Sequence, residues 1–179
     1  YKHGRQLMDH FVGNPDHGLI FAPHIMLFAR KYVATVDKFT LDRPGRIEQR
    51  YLRGDNIHID LGSRASTDMS YAMAADIYLG DASSQIYEFL IKPRPCIFMN
   101  SHGIAWKNDP NFLHWTLGDV IEHPNELPAA IARAPQRHEA IYRPIQQALF
   151  QDSFTLSNRP SSTIAAEEII RLTRHLPRV

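Results

Sequence analysis

The sequence predicts an α/β protein, a parallel sheet with helices on both of its faces. Three observations predict it. Short apolar runs, among them Gly18-Leu-Ile-Phe-Ala22, Asp76-Ile-Tyr-Leu79 and Pro95-Cys-Ile-Phe-Met99, read as buried strands. Helical patterns alternate with them, and parallel neighbours need such crossovers. Small and polar residues collect where the strands end, at His24, Asp60 to Ser63, Asp81 to Ser84 and Asn100 to Gly103. In open parallel sheets ligands bind beyond the carboxyl ends of the strands, so the four segments define one candidate site.

The elements follow in order. Leu7, Met8, Phe11 and Val12 mark one face of a helix from Arg5 to Val12, closed by Gly13-Asn-Pro15. After the strand Gly18 to Ala22, residues 25–36 have a helical composition, and Asp42 to Gly45 is a breaker. A short helix is expected from Arg46 to Leu52 and an alternating strand from Asn56 to Asp60. Ser66 or Thr67 is placed to cap a helix from Asp68 to Ala75. The strand Asp76 to Leu79, a helix from Gln85 to Ile91 and the strand Pro95 to Met99 come next. Gly103 to Trp115 reads as a polar and aromatic loop or lid, and Gly118 to Ile121 as a short edge strand. Three helices end the chain, over Glu126 to Ala134, Gln136 to Phe150 and Ser161 to Leu176, with Pro135 and Pro160 as punctuation. The last carries a stripe through Ile164, Ala165, Ile169 and Leu172.

A chain of 179 residues is one domain's worth, large enough for a real core. A formal charge of +1 gives no ground for a nucleic-acid or membrane surface, and no aromatic-basic array offers base stacking. The single cysteine, Cys96, lies in an apolar run, excludes an intrachain disulfide and fits a reducing compartment. No signal peptide or membrane span is present in the sequence. The chain opens at Tyr1 in a helical pattern, so a fragment of a longer protein is expected.

The most informative stretch runs from Asp81 to Pro93. An apolar strand passes into Asp81, Ser83 and Ser84, and these open an amphipathic helix with Glu88 one turn in. Helix N-termini present unpaired N–H groups and a positive dipole end, which suit phosphate. Glu88 is placed to accept hydrogen bonds from ribose or sugar hydroxyls. The plainer reading stands beside this one: Asp81 or Ser83 serves only as an N-cap.

The order strand, Gly80-Asp81-x-Ser83-Ser84-x-x-aromatic-Glu88-Phe89, Lys92-Pro93, strand resembles the C-terminal half of the CDP-glycerol glycerophosphotransferases. The likeness takes in Ala22-Pro23-His24 and the Ser161-Ser162 start of the last helix. It departs from the family at Ala82, which replaces a tyrosine, at Glu88, which replaces an aspartate, and at Ala22, which replaces a basic residue. These departures leave the cytidine and glycerol preferences open. The resemblance implies a GT-B architecture of two facing Rossmann-like domains, with residues 1–179 as the nucleotide-binding half and 151–179 as its C-terminal crossover helix region. The first strand of the sheet and the acceptor-binding half then lie outside this sequence, and the chain alone is catalytically silent.

Carried over residue by residue, the resemblance implies that Ser83 and Ser84, with Asp81 and Gln85 around them, hold the donor pyrophosphate. It gives Glu88 the ribose hydroxyls and His24 the leaving phosphate or a proton transfer. The implied reaction moves a glycosyl or polyol-phosphate group from a nucleotide-activated donor to a cell-surface glycan or lipid-linked acceptor. It takes place in the cytoplasm or at the inner face of the membrane, in cell-envelope polysaccharide synthesis. No metal is expected, since no Asp-x-Asp motif is present. The donor is a substrate, and no cofactor is expected. Two alternatives stand: a nucleotide-sugar 2-epimerase-like enzyme, and a non-catalytic domain that binds a nucleotide or a protein partner. A strand-end site also predicts a deep polar concavity beside Ser84, flanked by His24 and Glu88.

The remaining candidates read more plainly. His58 shares a strand face with Asn56 and Asp60 and reads first as a satisfied sheet histidine. His102 and His114 flank the polar loop, within reach of a substrate, whereas His3, His10, His17, His138 and His175 read as surface. Tyr71, Tyr78 and Tyr87 read as packing against the sheet. Ser83 lacks the Gly-x-Ser-x-Gly elbow of a hydrolase nucleophile.

Overall fold

The computed structural model describes residues 3–24, 26–29, 32–35, 40–42 and 46–174. Strands β1 (Leu19–Phe21) and β4 (Ile57–Ile59) pair in parallel. Strands β5 (Tyr78–Gly80), β6 (Cys96–Met99) and β7 (Asp119–Ile121) form a second parallel sheet in that order. An antiparallel pair, β2 (Val33–Thr35) and β3 (Thr40–Asp42), stands between β1 and β4 in the chain. The sequence therefore folds as a mixed α/β protein with parallel strands, and β7 is an edge strand as its position predicted.

Apolar alternation on these strands builds two layers. Ile97 and Met99 of β6 face one side, with Ile57 and Ile121, against α1 (Gly4–Val12), α3 (Gln49–Leu52) and α6 (Leu127–Arg137). Cys96 and Phe98 face the other, with Ile86, Phe89 and Leu90, against Trp115 and Leu117. Side chains on a strand point alternately to opposite faces, so β6 is buried at all four residues because both faces are covered. Leu19 and Phe21 of β1 join the same first layer as Ile77 and Leu79 at β5. Among the described residues, no backbone hydrogen bond connects the two parallel sheets.

Two buried polar side chains fasten the layers. The Arg94 guanidinium donates to the carbonyls of Ala72 (2.7 Å), Ala75, Phe89 (3.3 Å) and Lys92 (2.8 Å). It thereby closes the carboxyl ends of α4 (Ser70–Ala74) and α5 (Gln85–Phe89), where orphan carbonyls need donors. Gln146, on α7 (Arg143–Ser153), accepts from Arg94 N and donates to the carbonyls of Arg94 and Leu117. No described helix is long and apolar enough to cross a membrane.

Several elements differ from the sequence reading. The region 25–36 holds the four-residue helix α2 (Met26–Ala29) and then β2, and residues 25, 30, 31 and 36 lie outside the described ones, as do residues 43–45 of the expected breaker and His175. Helix α4 starts later than expected. Met69 precedes it at φ 67°, and the Asp68 carboxylate, not Ser66 or Thr67, takes the Ser70 N–H at 3.1 Å. Pro135 does not end its helix. α6 runs through it into a π-helical turn, His138–Tyr142, and on into α7. The apolar face through Leu127, Ala130 and Ala134 holds this stretch on the sheet, and that packing overrides the local cost of proline. His138, expected at the surface, is buried in the turn. The last helix, α8 (Ser161–Thr173), follows Pro160 without a side-chain cap.

Candidate functional site

The β5 end is built from Tyr78 outward. The Tyr78 side chain lies across Gly80, where a Cβ would meet its hydroxyl at 2.5 Å, so only glycine lets the strand carry the ring there. Burial, with Asp81 nearby, pushes the Tyr78 phenol up to about 12. Behind the turn, the Trp115 indole N–H donates to the Asp81 carbonyl at 3.1 Å. Ser83 Oγ accepts from Gln85 N at 3.3 Å, and Ile86 N and Tyr87 N reach the carbonyls of Ser83 and Ser84. The first N–H groups of α5 are therefore already engaged, and Ser83 acts as the cap of a helix shorter than the expected Gln85 to Ile91.

Asp81, Ser83, Ser84, Gln85 and Glu88 are brought together on this one turn. Ile86, Phe89 and Leu90 turn inward, which leaves Gln85 and Glu88 side by side on the exposed face. His24 stands apart from them in the topology. It is exposed, three residues beyond β1, in the other parallel pair.

The β4 end is the most densely bonded polar cluster at a strand terminus. Asp60, 7% exposed, accepts from Gly62 N (2.9 Å), Ser63 N (2.7 Å), the Ser63 hydroxyl and the Tyr71 hydroxyl (2.7 Å). The Ser63 hydroxyl and amide, then Gly62 and Tyr71, hold its carboxyl far below the usual carboxylate range. Tyr71 also meets His58 Nε2 at 2.8 Å. The sequence showed His58 and Asp60 on one face, but it gave Tyr71 only to packing. The pairing arises because α4 folds back over β4, which no local pattern encodes. Asn56 turns the other way and ties the β4 entry to the carbonyls of Phe11 and His17.

Beyond β6, Asn100 donates to Ile104 O and accepts from Ile104 N, which pins the loop through Gly103 at φ 63°. The Gly103 to Trp115 segment is a loop as far as Asp109 and then enters a 3-10 helix, Pro110–Leu117, in which Trp115 is fully packed and His114 is buried against Phe98. Burial lowers the His114 pKa, with Asp81 opposing, and its Nε2 has no hydrogen-bond partner. No group of His, Cys, Asp or Glu among the described residues is arranged to hold a metal ion.

A polar cavity of about 580 Å³ runs along β7, between Trp106, Lys107, Arg133, Arg137 and Tyr142, and its lining does not include Ser84, Glu88 or His24. Comparison with protein-family models, with curated proteins and with solved structures gave no match to this chain.

Proposed function

We propose that this chain is the donor-nucleotide half of a GT-B-type transferase, similar to the CDP-glycerol glycerophosphotransferases. It moves a glycosyl or polyol-phosphate group from a nucleotide-activated donor to a glycan or lipid-linked acceptor. The observation that carries the reading is the β5–α5 unit. A parallel strand ends in Asp81-Ala-Ser-Ser84 and leads directly into a helix that keeps Gln85 and Glu88 open to solvent. In this reading Ser84 and the turn's main chain contact the pyrophosphate, and Ser83 shapes the turn by capping it. Glu88 accepts from the ribose hydroxyls, and His24 attends the leaving phosphate as charge develops there.

The split of the parallel strands into two sheets that share one apolar layer supports the same reading. The resemblance implies a strand from outside this sequence, and a strand between the two sheets would join them.

Thermal shift with CDP, UDP, GDP and ADP conjugates tests the proposal. Stabilisation by one of the four is expected, and no shift with any of them overturns it. For the preferred conjugate, Glu88→Gln is expected to weaken binding about 10-fold to 100-fold by titration calorimetry, the range of a hydrogen bond to a charged acceptor. Ser84→Ala is expected to do less, because it removes one neutral hydroxyl and leaves the Glu88 carboxylate in place.

A further inference from the structure

We propose that His58 is a general base, held in one tautomer by Tyr71 and Asp60, that takes the proton of the hydroxyl acceptor. The inference rests on the transferase reading above. It begins with the bonding capacity of Asp60, whose Oδ1 accepts two main-chain N–H groups and whose Oδ2 accepts the hydroxyls of Ser63 and Tyr71. Those donors keep the carboxylate ionised, so it only accepts. The single phenolic proton of Tyr71 therefore points to Asp60, and the hydrogen bond from Tyr71 to Asp60 also raises the phenol's pKa.

The Tyr71 oxygen then has only lone pairs to offer His58 Nε2, 2.8 Å away. Nε2 must carry a hydrogen, and in the neutral ring the free lone pair sits on Nδ1. His58 is exposed, so Nδ1 is open to a ligand. The chain carboxylate–phenol–imidazole fixes a base by the same logic by which a carboxylate orients the histidine of a hydrolase triad. Asp60 N donates to Phe21 O at 3.0 Å, so the cluster and His24 leave the same pair of strands.

The step balances. The acceptor O–H gives its proton to His58 Nδ1 while its oxygen bonds to the phosphorus or anomeric carbon of the donor. The bond from that atom to the nucleotide's terminal phosphate oxygen breaks, and its electron pair leaves with the nucleotide. The imidazolium returns the proton to solvent. His58 and Tyr71 divide the work: one moves the proton and the other positions it.

The test uses the full chain with ¹⁵N-labelled histidine and long-range ¹H–¹⁵N correlation at about pH 8.5, about two units above the ordinary histidine value. His58 is identified by the signal lost in His58→Gln. The expected spectrum has hydrogen on Nε2 and a lone pair on Nδ1, and glycerol, the hydroxyl probe, moves the Nδ1 resonance in a saturable way. Diethyl pyrocarbonate with peptide mapping is expected to modify His58 in the parent chain. In Tyr71→Phe the two His58 nitrogen resonances are expected to move toward each other, because the ring is then free to sample both tautomers. Hydrogen on Nδ1, an unreactive His58, or a response to glycerol that stays linear overturns the inference even where nucleotides bind. Absence of nucleotide binding with the tautomer and the saturable response intact overturns the transferase reading instead.

Discussion

Arg94 shows what one residue does in this protein. It sits at 7% exposure with its guanidinium over the Phe89 ring, 3.8 Å from the centroid, and gives its N–H groups to main-chain carbonyls from two helices and the turn before β6. A planar fork with several fixed donors fits that arrangement, whereas an ammonium offers a single point of attachment. Arg94→Lys therefore keeps the charge but strands several buried carbonyls. A loss of about 2–4 kcal/mol is expected, read from the midpoint of urea unfolding at unchanged slope. Because the carbonyls belong to α4 and α5, the same variant is expected to loosen the turn before Gln85. An unchanged midpoint would mean that water serves those carbonyls equally well.

At the scale of elements, the closest approach is between β6 and β7. A Cβ on Gly118 would run into the Cys96 carbonyl and its carbon, which are backbone atoms with no rotamer to yield. Gly118→Ala is expected to separate the strands at Cys96 and cost about 3 kcal/mol, measured by thermal unfolding, with the Cys96 thiol becoming reactive. In the parent chain burial pushes that thiol up to about 12 and keeps it inert. Elements of this kind were legible in the sequence where an apolar run was buried on both faces, as in β6, or where its ends were punctuated, as in β4 and β5. Legibility failed where tertiary packing overrode a local rule. Pro135 sits inside a helix because its apolar face is held on the sheet, and the end of the Gly103 to Trp115 stretch is helical, with Trp115 donating to the Asp81 carbonyl across the chain. The residues of the candidate turn were all legible, but their roles were not. Ser83 as the cap was one of two readings, beside Asp81, and geometry chooses between them, whereas the Tyr71 contact needs the α4 crossover.

The whole molecule leans on two buried carboxylates, and so its stability depends on acid. Asp60 is held low by Ser63, Gly62 and Tyr71. Burial pushes Asp119 up, but hydrogen bonds from Tyr142, Arg133 and Arg137 outweigh it and hold the group below its usual range. A carboxyl whose folded pKa is depressed stabilises the fold above its unfolded value, about 3.9, and loses that contribution as pH falls toward the folded value. Unfolding temperature is therefore expected to decline below about pH 6.5, where unfolding frees His114 and His138 from the burial that disfavours their protonation, and to fall more steeply below about pH 4, and Asp119→Asn is expected to flatten the second fall. The other whole-molecule feature is α8. Every described residue from 151 to 174 is exposed, including Ile169, Ile170 and Leu172 at 52–61%. Its ion pairs, Arg159 with Glu167 and Arg171 with Glu168, are solvent-exposed and contribute little. A thirteen-residue helix with every residue exposed is marginal in water, because its propagation barely offsets nucleation. Amides of α8 are thus expected to exchange within seconds while those of β6 are protected to the level of global unfolding. Ending the chain after Phe154, which still stacks on Phe150 at 5.0 Å, is expected to move the unfolding temperature by less than about 2 °C. Protection of α8 equal to that of β6 would show that its apolar face is covered in solution, and sedimentation of the same sample would say whether a second chain covers it.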